Sequence, residues 1–323
     1  MALVETVKTT LTEQDRDAVF APRNVLFATD FSSASEAAMP HAAAICRRFG
    51  ATLHLAHILS DTSLLMATGG VDYVSLDTIC DATNADAKAR LEEMSCQLAG
   101  IPHRCYLRHG QVWLNLSRIV ETNRVDLMVL GTHGRTGLGK LLLGSVAEDM
   151  LRHAACPVLT IGPKIRGRNQ LPTFPNDRRR DLDPRELELR KVIFATNFAP
   201  AAARHAEVAV SLAQTFQSQL TFVHVIEDYT QLGSRPGGIE EASRRLRELI
   251  PTAKTAALQY PPETVLEFGS ASERVLKVAE DREADLIVLG ARPAAEAGTT
   301  HLPWSTAHHV IADAHCPVLT LRN

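Results

Sequence analysis

An internal repeat constrains this chain more than any other feature. The run Lys191-Val-Ile-Phe-Ala-Thr-Asn197 restates Asn24-Val-Leu-Phe-Ala-Thr-Asp30, and the correspondence continues without a gap through Phe216 for Phe49 and His224 for His57. Further on, Asp285-Leu-Ile-Val-Leu-Gly290 restates Asp126-Leu-Met-Val-Leu-Gly131, and Cys316-Pro-Val-Leu-Thr-Leu321 restates Cys156-Pro-Val-Leu-Thr-Ile161. The chain therefore folds as two copies of one unit, and 323 residues are enough for each copy to bury its own core. Between the copies, Gly162-Pro163, Pro172, Pro175 and Pro184 interrupt a dense mixture of Arg and Asp, the composition of a linker. Arg178 to Arg180 lie between Asp177 and Asp181, which makes a solvated charge cluster rather than a nucleic-acid patch.

Within each copy, short β-branched runs alternate five times with segments of helical spacing, the pattern of a parallel sheet covered on both faces by right-handed crossovers. Residues 1 to 22 read as a polar, partly ordered arm. Asn24 to Asp30 reads as a buried strand ending in a carboxylate. Ser33 and Glu36 have capping-box spacing, and a helix is expected from there to Gly50, with Pro40 placed to kink it just after the first turn. In the next strand, Thr52 to Ile58, His54 and His57 point to opposite faces, so they read as packing histidines and not as one metal site. Residues 60 to 74, with Gly69-Gly70, form a loop long enough to fold over a ligand, and a helix follows to Leu98. Strands are expected at His103 to His109, Asp126 to Leu130 and Cys156 to Ile161, with a helix from Val112 to Thr122.

The chemistry concentrates in Gly131-Thr-His-Gly-Arg-Thr-Gly-Leu-Gly-Lys-Leu-Leu-Leu-Gly-Ser145, between the fourth strand and the next helix. Gly131 and Gly134 are expected to turn with φ > 0 and bring amide N–H groups close to an anion. Ser145 and Glu148 again have capping-box spacing, so the helix is expected to start at Ser145 with its dipole and free amides facing the loop. Two other readings share the spacing. One is a tight turn with no ligand; the other is a P-loop, because Gly134-Arg-Thr-Gly-Leu-Gly-Lys140 matches its first seven positions, but Leu141 stands where a hydroxyl would hold Mg²⁺. The second copy departs at the same places: Asn197 for Asp30, Pro293 for Gly134, Trp304 for Gly144 and His308 for Glu148. Proline offers no N–H and tryptophan fills the space an anion needs, so that copy reads as a structural or protein-binding partner.

The spacing Gly131-x2-Gly134-x9-Gly144-Ser145 resembles the nucleotide-binding signature of the universal stress protein family, in its ATP-binding branch. The resemblance covers both copies and implies a tandem member. Residues 23–161 would be the nucleotide-binding domain, 162–189 the linker and 190–322 a second domain with a degenerate site. It implies an α/β fold of two doubly wound five-stranded parallel sheets of strand order 3-2-1-4-5, adenine-nucleotide alpha-hydrolase-like and Rossmann-like, with ligands entering at the switch point between strands 1 and 4. By that resemblance Thr29, Asp30 and Ile58 would surround adenine and ribose, and Gly131, His133, Gly134, Arg135, Gly144, Ser145 and Val146 would contact phosphate. The ligand implied is ATP, bare or with Mg²⁺, bound as a signal for a stress-response module and not turned over. A slow ATPase using His133 or Asp30, and a structural module with no nucleotide, are the alternatives. Read without the resemblance, Asp30 is also a good loop-capping carboxylate, His133 and Arg135 also suit a solvated loop, and Lys140 suits a mobile surface cation. Family members pair through their fifth strands, which here would join the Val158 and Val318 runs into an internal pseudo-dimer, with further oligomers open.

Composition sets the remaining expectations. A net charge of −3 gives no polyanion-binding surface, and no segment has the roughly 20 apolar residues that span a bilayer, so neither nucleic acid nor membrane is an expected partner and the location is expected to be cytoplasmic. The six cysteines form no C-x-x-C pair and no ligand spacing, and read as buried reduced thiols.

Overall fold

The computed structural model describes residues 19–60, 73–132, 143–171, 187–227, 237–291 and 306–322. The first copy comprises β1 (Asn24–Ala28), α1 (Ser33–Phe49), β2 (Thr52–Leu59), α2 (Tyr73–Cys96), β3 (His103–His109), α3 (Val112–Asn123), β4 (Leu127–Gly131), α4 (Ser145–His153) and β5 (Val158–Ile161). The second comprises β6 (Lys191–Ala195), α5 (Ala202–Phe216), β7 (Gln219–Ile226), α6 (Gly238–Glu248), the single turn α7 (Thr252–Thr255), β8 (Glu263–Phe268), α8 (Ala271–Asp281), β9 (Leu286–Ala291), α9 (Thr306–Asp313) and β10 (Val318–Arg322). Helix α1 runs unbroken through Pro40. Its cap is Ser32 and not Ser33: the Ser32 hydroxyl accepts from the Ser35 amide at 3.2 Å, while Glu36 lies 3.6 Å from Arg90. Most of the 60–74 loop and the Arg178–Arg180 cluster fall outside the described residues.

Ten strands form one continuous sheet in the order β3-β2-β1-β4-β5-β10-β9-β6-β7-β8. Each half keeps the order 3-2-1-4-5 with parallel neighbours, and the halves meet where β5 and β10 pair antiparallel. The junction is close to symmetric: Thr160 Oγ1 donates to the Val318 carbonyl at 3.1 Å, and Thr320 Oγ1 to the Val158 carbonyl at 3.0 Å. Pairing is favoured because every residue of β5 is buried, so an unpaired β5 would be an exposed apolar edge.

Each half carries the same clip at the amino end of its sheet. The Asp126 carboxylate accepts from the Arg23 and Asn24 amides at 2.9 and 3.1 Å, and Asp285 accepts from Arg190 and Lys191 at 2.8 and 2.9 Å. One face of the sheet supports a single core through both halves, including Phe27, Leu159, Phe194 and Leu319 under α1 and α5. The other face has two cores, one around Leu26, Met128 and Val158, the other around Ile193, Ile287 and Val318. Ahead of β1, Phe20 docks on the second half, its amide 3.0 Å from Ser211 Oγ. Among the described residues no helix is long and apolar enough to cross a membrane.

Candidate functional site

The carboxyl end of β1 turns sharply into α1. Phe31 takes a left-handed backbone, φ 59°, held by hydrogen bonds on both sides. Its amide donates to Thr29 Oγ1 at 2.9 Å, and the Ser32 amide donates to Asp30 Oδ1 at 3.0 Å. Thr29 is buried, and its hydroxyl also meets Ser35 Oγ at 2.9 Å, within the turn. His57 Nδ1 donates to the Thr29 carbonyl at 2.7 Å, and its ring lies 4.2 Å from that of Phe31. Arg90, from α2, lies over the Phe31 ring at 4.4 Å and donates to the Phe31 carbonyl at 3.1 Å.

The second copy rebuilds this turn with Phe198 at φ 58°, its amide 3.1 Å from Thr196 Oγ1, with His224 4.1 Å and Arg245 4.4 Å from its ring. The stack is framework, common to both copies. What differs is Asp30 against Asn197, each accepting from the amide two residues on.

Beside this turn, Ala28 pairs with Leu130, which sets Gly131 next to Thr29. Gly131 is the last strand residue, paired with Ile161, and its φ is not positive. The expected left-handed turn at Gly131 is thus corrected. Glycine is required there because a Cβ would lie 2.6 Å from the Ala34 carbonyl oxygen, inside the first turn of α1. Thr132 follows, fully buried, and its carbonyl accepts from the Gly144 amide at 2.8 Å, closing the base of the loop.

Gly144, at φ −61° and ψ 144°, is the cap of α4, and among the described residues no side chain caps this helix. The expected capping box at Ser145 is therefore also corrected. Ser145 is the first helical residue, and Glu148 pairs with Arg152 while its amide bonds the Gly144 carbonyl at 2.9 Å. With glycine at the cap, the Ser145, Val146 and Ala147 amides have no partner among the described residues, and such a helix start favours an anion.

Six of the expected residues come together at the carboxyl ends of β1 and β4: Thr29, Asp30, Gly131, Gly144, Ser145 and Val146. Ile58 sits near the end of β2, but its side chain is 9% exposed and packs with Leu26, Ala56 and Leu116. His133, Gly134, Arg135 and Lys140 lie outside the described residues, as do Pro293 and Trp304. Phe31 and Arg90 escaped sequence reasoning. Phe31 was findable, since Phe198 repeats it next to the residue that changes, whereas Arg90 comes from a helix 59 positions away.

His54 and His57 are packing residues, His54 meeting Tyr106 Oη at 3.0 Å and Asn24 Oδ1 at 3.3 Å. Cys46, Cys156 and Cys316 are buried, and burial pushes each thiol up to about 12, away from thiolate chemistry. Cys96 and Cys105 are exposed, against the expectation that all six are buried, because they lie at the end of α2 and on the edge strand β3.

Comparison with known proteins follows the repeat. A family model described as Universal stress protein family matches residues 22–162 and again 188–322. A universal stress protein of Methanocaldococcus jannaschii is 26% identical over 139 residues, covering 43% of this chain and 81% of its own. Universal stress protein A homolog 1 of Coxiella burnetii is 31% identical over 144 residues, covering 44% of this chain and 97% of its own. Each of these relatives matches less than half of this chain. A solved universal stress protein from Archaeoglobus fulgidus spans both halves, with a TM-score of 0.64 at 19% identity over 93% of this chain and 98% of that one, a likeness of fold. Two successive matches to one family model, on two halves of one sheet, make this chain a tandem member of the universal stress protein family.

Proposed function

We propose that the first half, taken as residues 23–161, binds ATP or a close relative, and that occupancy, not turnover, is the signal passed to a cytoplasmic stress-response partner. The observation that carries this reading is the start of α4, where a glycine cap leaves three amides without a partner among the described residues, beside the β1 and β4 ends. In a sheet of this order, the crossovers reverse direction between those two strands, opening a crevice for a ligand. Asp30, half-buried at the turn, would accept from the sugar or base; the α4 amides and Gly144 would take phosphate, joined by Gly131, His133, Gly134 and Arg135 from the motif. Any Mg²⁺ would arrive on the phosphates, the usual way for this ion. Amides that hold ground-state phosphate and transition state equally would lower no barrier.

A structural module without nucleotide is the second reading. It is favoured by the structural duties found for Thr29, Ile58 and Gly131, which leave fewer groups dedicated to a ligand. Calorimetry separates the two. One equivalent of ATP should bind per chain, and Gly144→Trp, which imports the second copy's residue, should abolish binding with the circular dichroism unchanged. Two equivalent sites, or undiminished binding in the variant, would sink the proposal.

A further inference from the structure

Helix α4 has two apolar faces, and they enter different cores. Met150 and Ala154, with Val146 against them, belong to the first half's cluster with Leu26 and Met128. Leu143, just ahead of the Gly144 cap, and Ala147, in the first turn, belong to the second half's cluster with Val310 and Ile311 of α9. They are 6% and 3% exposed, and Leu151, four residues further along the same stripe, packs against both clusters. Among the described residues of α9, Ala307, Val310 and Ile311 share this cluster with Leu143 and Ala147. Arg322 and Gly162 tighten the junction. The Arg322 guanidinium donates to the Met150 carbonyl at 3.5 Å, and a Cβ on Gly162 would lie 3.2 Å from the Ile311 carbonyl.

We propose that the second half is a built-in seat for the helix that faces the ligand in the first. Val310 and Ile311 are positioning residues, acting through Leu143 and Ala147 on the direction of the Ser145, Val146 and Ala147 amides. Two buried side chains, one on each side of the cap, fix that direction before any ligand arrives, and donors fixed in advance bind without an ordering cost. This gives a duty to a copy that has Asn197 in place of Asp30 and yet keeps an apolar α9. Linkage then requires that a ligand on α4 steady the second half by the same factor. The identity of the ligand rests on the nucleotide reading above; the seating does not.

The test uses the full chain with three variants: Ile311→Ala, the conservative Ile311→Val, and Leu246→Ala. Leu246 is fully buried in α6 on the opposite face of the sheet and serves as the control for general destabilisation. Amide hydrogen exchange at Glu148 to Met150 is measured without nucleotide, relative to exchange in β1, and ATP affinity is measured by calorimetry. Ile311→Ala should speed that exchange and weaken ATP by about tenfold. Ile311→Val should restore most of both, and Leu246→Ala should leave both at parent values. Unchanged exchange in Ile311→Ala, or an equal effect from Leu246→Ala, overturns the seat. A parent chain that binds no ATP overturns the nucleotide reading instead, and the exchange measurements alone then decide the seat.

Discussion

His41 is buried in α1 with its two ring nitrogens facing carbonyls, Asn169 O at 3.0 Å from Nε2 and Ala37 O at 3.3 Å from Nδ1. Burial lowers its pKa from 6.5 to about 4, against those carbonyls, which favour the proton. The unfolded chain therefore binds this proton more readily, so the stability it contributes is complete above pH 6.5 and is lost as pH falls to 4. A gap of this size corresponds to about 3 kcal/mol. Urea unfolding between pH 7 and 4 should show that loss in the parent and a flatter slope in His41→Leu; parallel slopes would refute it. Gly131 makes a sharper demand. With Ala34 O only 2.6 Å from a Cβ, Gly131→Ala must push α1 off β4, at a cost of about 1–3 kcal/mol. A variant as stable as the parent in urea would show that α1 yields freely.

Homologous elements end differently in the two halves. Helices α1 and α5 both close with a left-handed residue, Gly50 at φ 66° in one and Gln217 at φ 54° in the other. A non-glycine residue pays about 1–2 kcal/mol for that backbone, and glycine recovers this less the freedom it adds to the unfolded chain. Gln217→Gly should therefore raise stability by up to about 1 kcal/mol, read as a shifted urea midpoint at constant slope. The outer strands explain why the sheet stops at ten. Edge strand β3 carries Arg104 and Arg108, and β8 carries Glu263 and Glu267, charges that oppose further pairing.

At the scale of the molecule, the halves share more than a strand pair. One core runs beneath α1 and α5 across both, and the stretch after β5 crosses over as well, since Asn169 Nδ2 donates to the Ala284 carbonyl at 3.1 Å and Lys164 pairs with Asp313. Such continuity predicts one cooperative unfolding transition. In a Trp304→Phe chain, fluorescence of Trp113, reporting on the first half, and far-ultraviolet circular dichroism, reporting on both, should give coincident urea curves. Two resolved transitions would mean that the halves unfold separately.

The sequence by itself determined the repeat, the alternation of strands and helices, and the end of the sheet at which Asp30 and the glycine-rich stretch lie. Those are local: a period of two or of 3.6 records which side of an element is apolar, and Asp126 and Asp285 mark the same strand start twice. The pairing of the Val158 and Val318 runs came from resemblance to a family and not from any periodicity, and the structure decided its antiparallel direction and the register of Val158 on Thr320. Tertiary structure decided what each residue is for. Thr29 turns inward because Ser35 meets it, Gly131 is bare because α1 crosses it, and Phe31 is held by an arginine 59 positions away. Leu143 and Ala147 are in sequence two apolar residues either side of a helix start, and only packing shows that the core they enter belongs to the other half. The physical reason is that a pattern encodes the need to be buried, whereas the neighbour that meets the need is chosen by how the elements stack.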